Sequence, residues 1–233
     1  MKIEPAHHWQ TGWDQYERRL VSLINSYDRP DVLELGGGGR PMWDLADAPA
    51  NMNSYTVNDF DQRELDKISD GYSKACFDVC GDASVFAGRY DIVFSRFLAE
   101  HLPDGMAMHR NVFEVLKPGG VAIHLIPKLY ASPFVLNMIL PDRFAHKILV
   151  RYFPERLTGK FPAYYSFCRG DTNTMRQEID RIGYSRTEVT AFYGHPYYDR
   201  IPGVRDIDEA FSALAASRGW SWYASYAVIV AHK

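Results

Sequence analysis

Four consecutive glycines, Gly36 to Gly39, follow the apolar stretch DVLEL and run into Arg40 and Pro41. Backbone without side chains lets main-chain amides approach a ligand closely. Pro41 is expected to restart a helix whose N-terminus favours negative charge. A glycine turn of this kind can serve a dinucleotide, a nucleoside or no ligand at all. Two carboxylates sharpen the reading. Glu34 stands two residues ahead of Gly36, where it would repel a pyrophosphate but suits an ammonium or a sulfonium. Asp59 comes 21 positions after Gly38, at the end of the next apolar run, where a carboxylate can accept both hydroxyls of a ribose. For proton transfer the candidates are His101, in AEHL after a fourth apolar run, and His195, in FYGHPYYDR after a late one. An imidazole titrates near neutrality and suits a general base. His124 alternates into the fifth run and reads as a core residue. Asp61 and Asp91 read as a helix cap and a strand-start carboxylate. No Asp, Glu, His or Cys cluster has metal-ligand spacing, so no metal is expected.

These residues need a frame. DVLEL (31–35), SYTVND (54–59), ACFDV (75–79), YDIVFS (90–95) and VAIHLIP (121–127) are short runs bounded by Gly, Pro or Asp and read as buried strands. Between them lie helical patterns: a short one begun by Pro41, one over 62–69 capped by Asp61, one over 97–101 and one over 106–116. Alternation of strand and helix implies parallel βαβ units, with the ligand crevice at the carboxyl ends of the strands. Trp13, Tyr16, Leu20, Leu23, Ile24 and Tyr27 mark an amphipathic helix ahead of the core. The tail reads as helix (TNTMRQEIDRIG), strand (RTEVTAFYG), helix (IDEAFSALAASRG) and strand (WYASYAVIVAH).

The 233 residues, 46% hydrophobic and 24% charged, suit one packed domain. Within it, 1–30 would be an N-terminal cover helix, 31–127 the cofactor-binding core, 128–170 an insertion and 171–233 the rest of the sheet. A net charge of −3 gives no pull towards nucleic acid. Cys76, Cys80 and Cys168 are odd in number and lack CxxC spacing, which suggests reduced thiols and a cytoplasmic protein. With no signal-like N-terminus and no apolar stretch of about 18 residues, neither secretion nor a membrane span is expected.

Taken together, ELGGGG, NDFD, FDVCGDA, YDIVFSRFLAEHL and LKPGGVAIHLIP, in this order over 31–127, resemble the class I S-adenosylmethionine-dependent methyltransferases. The resemblance implies a Rossmann-like, doubly wound α/β fold with a mostly parallel seven-stranded sheet and an antiparallel edge strand. It also implies S-adenosyl-L-methionine as cofactor, held over the first two strands. By position, Gly36 and Gly38 would line its amino-acid part with Glu34 close by, Asp59 would hold the ribose, and Phe60 would pack on the adenine. Asp78 or Asp82 would meet the adenine amino group, Asp78 being preferred as the more natural end of its strand. Ser95 and Arg96 would face the methionine moiety. Arg40, where the family has small residues, would pair with the cofactor carboxylate or point to solvent.

The 43-residue segment 128–170, rich in aromatics, Pro and Arg, is expected to supply the acceptor pocket. Its end, KFPAYYSFCRG, and the later FYGHPYYDRIPG resemble bacterial methyltransferases of glycan or secondary-metabolite assembly. The expected acceptor is a small-molecule hydroxyl, with an amine as the alternative; His101 or His195 would act as base. A homodimer is compatible with the sequence. Two rivals stay open at this point: a nicotinamide-dependent oxidoreductase, which Glu34 and LKPGG oppose, and a cofactor-binding protein without transfer activity.

Overall fold

The computed structural model describes residues 2–139, 162–201 and 203–233. Seven strands form one sheet: β1 (Asp31–Leu35), β2 (Ser54–Asp59), β3 (Ser73–Cys76), β4 (Tyr90–Arg96), β5 (Leu116–Pro127), β6 (Arg186–Phe192) and β7 (Tyr226–His232). Their order is β3-β2-β1-β4-β5-β7-β6. The first five are parallel, and β7 runs antiparallel to both β5 and β6. The opposed strand therefore lies one place inside the β6 edge. Val32, Leu33, Ile92, Val93 and Phe94 are fully buried, the continuous apolar pattern of central parallel strands covered on both faces. Strand order reverses between β1 and β4, which pair with Leu35 level with Ser95, and the crevice opens at that switch point.

At the opposite end of the sheet, Lys117 Nζ lies 2.8 Å from Asp31 Oδ2 and 2.7 Å from Asp91 Oδ2. The lysine of LKPGG thus clamps the starts of β1 and β4, and Asp91 is the structural carboxylate expected of it.

The helices are α1 (Trp9–Asn25), α2 (Gln62–Leu65), α3 (Gly105–Val115), α4 (Ser132–Ile139), α5 (Thr172–Asp180) and α6 (Val204–Ser217). In α1 the buried Tyr16, Leu20 and Ile24 recur every four residues, the stripe needed to pack on the sheet. Asp61, Asp104 and Asp171 cap α2, α3 and α5 by accepting from backbone N–H groups of the first turn.

Several expectations need correction. No helix follows Pro41; residues 41–50 form turns and bends. The Met42 N–H donates to Glu34 (2.9 Å to Oε2) and Tyr72 O–H to the Trp43 carbonyl, partners that replace helical hydrogen bonds. β3 stops at Cys76, because Asn58 Nδ2 takes the carbonyls of Ala75 and Phe77, both at 2.9 Å. Asp78 therefore lies in a turn and does not end the strand. The helix expected over 62–69 is shortened to 62–65, and only Ala99–His101 of the 97–101 pattern forms a helical turn, of 3-10 type. Within the insertion, residues 140–161 lie outside the described residues, and with them most of the expected acceptor cover.

Candidate active site

The glycine run is shaped by its neighbours. Gly36 and Gly38 have φ of +67° and +45°, conformations L side chains rarely adopt. A Cβ on Gly38 would stand 2.6 Å from Asp59 Oδ2, and one on Gly36 would stand 2.8 Å from Leu98 Cδ1. The loop is pressed between the ends of β2 and β4, with the Gly37 N–H donating to the Asn58 carbonyl at 3.0 Å. Asp59 Oδ1 accepts from the Asp61 N–H at 2.9 Å, which orients the carboxylate. Burial raises its pKa, with the nearby carboxylates of Glu64 and Asp61 adding to the effect. Such a carboxylate, pressed on a glycine cradle, fits the ribose and amino-acid parts of S-adenosylmethionine. Phe60, 72% exposed, stands next to it as a free aromatic face.

Glu34 is buried, and its carboxylate is engaged by Tyr55 O–H and by Met42 N–H. Burial raises its pKa, while Tyr55, Met42 and Arg96 act against the rise. Arg96 Nη2 stands 3.9 Å from Glu34 Oε1. The pair ties the ends of β1 and β4 together below the glycine loop. Arg40 is exposed and no ion pair joins it among the described residues. Asp78 accepts from the Cys80 N–H at 2.8 Å and Asp82 from the Ser84 N–H at 2.9 Å, so each shapes a turn in the same loop. Asn111 holds that loop by donating to the carbonyls of Val79 and Gly81.

Residues 8–161 match the sequence profile of the methyltransferase-domain family. The chain belongs to that family. This retires the nicotinamide-dependent oxidoreductase reading. No curated protein matches the sequence. Solved structures share the fold at low identity. An S-adenosylmethionine-dependent methyltransferase from Archaeoglobus fulgidus is 11% identical, with a TM-score of 0.57 and 94% of each chain covered. One from Mesorhizobium loti is 12% identical at 0.56, over 94% of this chain and 98% of that one. Phosphoethanolamine N-methyltransferase 2 from Haemonchus contortus, in complex with phosphomonomethylethanolamine and S-adenosylhomocysteine, is 15% identical at 0.56, over 95% of this chain but 53% of that one.

Beyond the glycine loop the sequence candidates for proton transfer separate. His101 is about one-third exposed, and its Nδ1 lies 2.9 Å from the Pro162 carbonyl. A carbonyl only accepts, so Nδ1 carries a proton, and Nε2 on the other side of the ring stands 3.9 Å from Glu100 Oε1. His195 is buried, with Nδ1 accepting from the Tyr197 N–H at 3.2 Å and Nε2 3.0 Å from Asp208 Oδ2. Both its nitrogens are spent on joining the 193–198 loop to α6. Asp208 also accepts from Ser132 at the start of α4 and from Tyr223. Ser95 Oγ is 2.8 Å from His124 Nδ1, so its hydroxyl faces the core and not the crevice. His124 is fully buried as expected, and burial pulls its pKa down to about 4.

Four residues at this end are not singled out as site candidates by the sequence. Tyr16 O–H donates to the Ser95 carbonyl at 3.0 Å, fastening α1 across the end of β4. Trp13 and Phe97 meet beside it, with ring centroids 5.2 Å apart. Glu100 is 7% exposed, and burial pushes its pKa up to about 8. Its carbonyl accepts from the N–H groups of Tyr164 and Tyr165, at 2.7 and 3.0 Å. Residues 162–166, the described return of the insertion, are thus strapped over the 99–102 turn that carries His101. Trp13 and Tyr16 lie on the helical stripe of α1, and Phe97 and Glu100 within YDIVFSRFLAEHL.

Proposed function

We propose that this methyltransferase transfers the methyl group of S-adenosylmethionine to a small-molecule hydroxyl, of a sugar or secondary metabolite, with His101 as general base. When bound, S-adenosylmethionine supplies a sulfonium-activated methyl carbon, which the acceptor oxygen attacks in line while the C–S bonding pair stays on sulfur. Gly36 and Gly38 hold the donor by main-chain approach, Asp59 by hydrogen bonds to the ribose, Phe60 by packing on the adenine, and Asp78 or Asp82 by the adenine amino group. Arg96 closes the methionine end with Glu34 behind it, and Arg40 stands at the loop's outer edge.

The observation that carries the hydroxyl reading is the hydrogen bond from His101 Nδ1 to the Pro162 carbonyl. It holds the ring in the tautomer that can take an acceptor proton on Nε2, just past the strand end that faces the glycine loop. A neutral amine already presents its lone pair and has less need of such a base. The remaining work of the chain is alignment and exclusion of water.

The test is release of S-adenosylhomocysteine with panels of hydroxyl and amine acceptors, in wild type and His101→Gln. The variant should lose roughly 10²- to 10⁴-fold in transfer rate while binding S-adenosylmethionine as before. An unchanged rate removes His101 as base, and transfer confined to amines replaces the oxygen acceptor with nitrogen.

A further inference from the structure

Phe97 has φ of +51°, a left-handed backbone that is uncommon for a bulky residue. Its N–H donates to the Leu125 carbonyl at 2.9 Å, so the conformation is held by β5. Strain retained at a strand end next to a ligand loop points to a use for the side chain it aims. Phe97 lies two residues past Ser95, which pairs with Leu35 immediately before Gly36, so the ring stands at the same crevice end as the donor loop.

The ring meets Trp13 at an interplanar angle of 57°. Both rings pack on Tyr226 and Trp13 also on Trp9, and with Trp13 37% exposed and Phe97 half-buried they form the outer ledge of this aromatic cluster. Trp13 and Tyr16 are three residues apart and share a face of α1. The hydrogen bond from Tyr16 to the end of β4 therefore fixes the indole over Phe97.

The chemistry around the ledge selects its occupant. A polyol would need partners for many hydroxyls, and unpaired ones are costly to bury. Among the described residues at this end, Glu34, Ser95 and His195 already spend their polar atoms on protein partners. Arg96, adjacent to Phe97, puts a guanidinium at the same strand end and opposes a cationic acceptor. A planar ring that stacks on aromatic faces and carries one ionisable hydroxyl meets each condition.

We propose that Trp13 and Phe97 are the specificity-determining platform for the acceptor, and that the acceptor is a planar phenol-type ring. This rests on the donor site and oxygen-methylation reading given above. The test is calorimetric titration of the full chain, loaded with S-adenosylhomocysteine, with 7-hydroxycoumarin as the planar phenol and methyl α-glucopyranoside as the polyol.

The coumarin should bind and the glucoside should not. Trp13→Ala and Phe97→Ala should each weaken coumarin binding by about fivefold to tenfold. Phe97→Gly, which accepts the left-handed backbone without strain, should match Phe97→Ala, tying the loss to the missing ring. S-adenosylhomocysteine affinity should stay within about threefold in all variants. Glucoside binding as tight as that of the coumarin, no binding of the coumarin, or coumarin binding indifferent to all three substitutions would overturn the inference alone. Failure of the wild-type chain to bind S-adenosylhomocysteine would overturn the donor-site reading, and this inference with it.

Discussion

The two sides of the crevice are built differently. On the proposed donor side, Gly36–Gly39, Asp59 and Phe60 lie within 25 positions of one another, and each sits where a single strand ends in a short turn. On the proposed acceptor side, Trp13, Phe97 with His101, and Pro162 come from three distant stretches, joined by hydrogen bonds such as those from Tyr16 to Ser95 and from His101 to Pro162. A side built from local turns tolerates no change of backbone shape. A side built from remote contacts depends on its fastenings, and its pieces can change without disturbing the donor loop.

The largest effect expected from this contrast is at Gly38. With φ of +45° and Asp59 Oδ2 2.6 Å from a Cβ, Gly38→Val must displace either the loop or the carboxylate. S-adenosylmethionine binding should disappear from calorimetric titrations, while the circular dichroism of the folded chain is kept. Retained binding would mean that the glycine run is a turn without a ligand, and the contrast between the two sides would collapse.

A smaller loss is expected from Asp59→Ala. Each charge-assisted hydrogen bond to the ribose is worth roughly 1.5–3 kcal/mol before relaxation, so affinity should fall by about tenfold or more. The variant should also bind the acceptor probe as wild type does, and coupled losses at both ligands would show that the two sides are not separable.

The mildest test concerns Glu100, whose burial belongs to the acceptor side. Its folded pKa is raised to about 8 from an ordinary 4.5. The unfolded chain therefore releases this proton first as pH rises. Stability contributed by the protonated form is complete below about pH 4.5 and is lost as pH climbs towards 8. Glu100→Gln, which cannot ionise, should flatten the fall in Tm between those limits. Parallel Tm profiles for the two proteins would show that the strap over residues 99–102 does not keep Glu100 dry.

What could be read in advance follows the same division. The five parallel strands, the caps Asp61 and Asp91's structural place were legible, because strand runs and cap residues express preferences of a few adjacent positions. The helix after Pro41 was not, since its start signal was outweighed by Glu34, which captures the Met42 N–H from inside the sheet. Asp78 was expected to end its strand and does not, because Asn58 reaches across and takes the carbonyls that would have extended β3. His101 and His195 looked equivalent in sequence. They differ in what the fold packs on their nitrogens: the Pro162 carbonyl on Nδ1 of His101 with Glu100 Oε1 3.9 Å from its Nε2, and a backbone N–H and Asp208 on those of the buried His195.

By itself, then, the sequence determined the α/β class, the five parallel strands, the glycine loop and the carboxylate that faces it, since these depend on residue types at short separations. The tertiary structure alone decided that α1 crosses the end of β4, that Phe97 is held left-handed beneath Trp13, and that Glu34 is spent on Met42 and Tyr55. Those outcomes turn on which distant groups meet first in a dry interior, where an unpaired polar atom costs more than a local preference can repay.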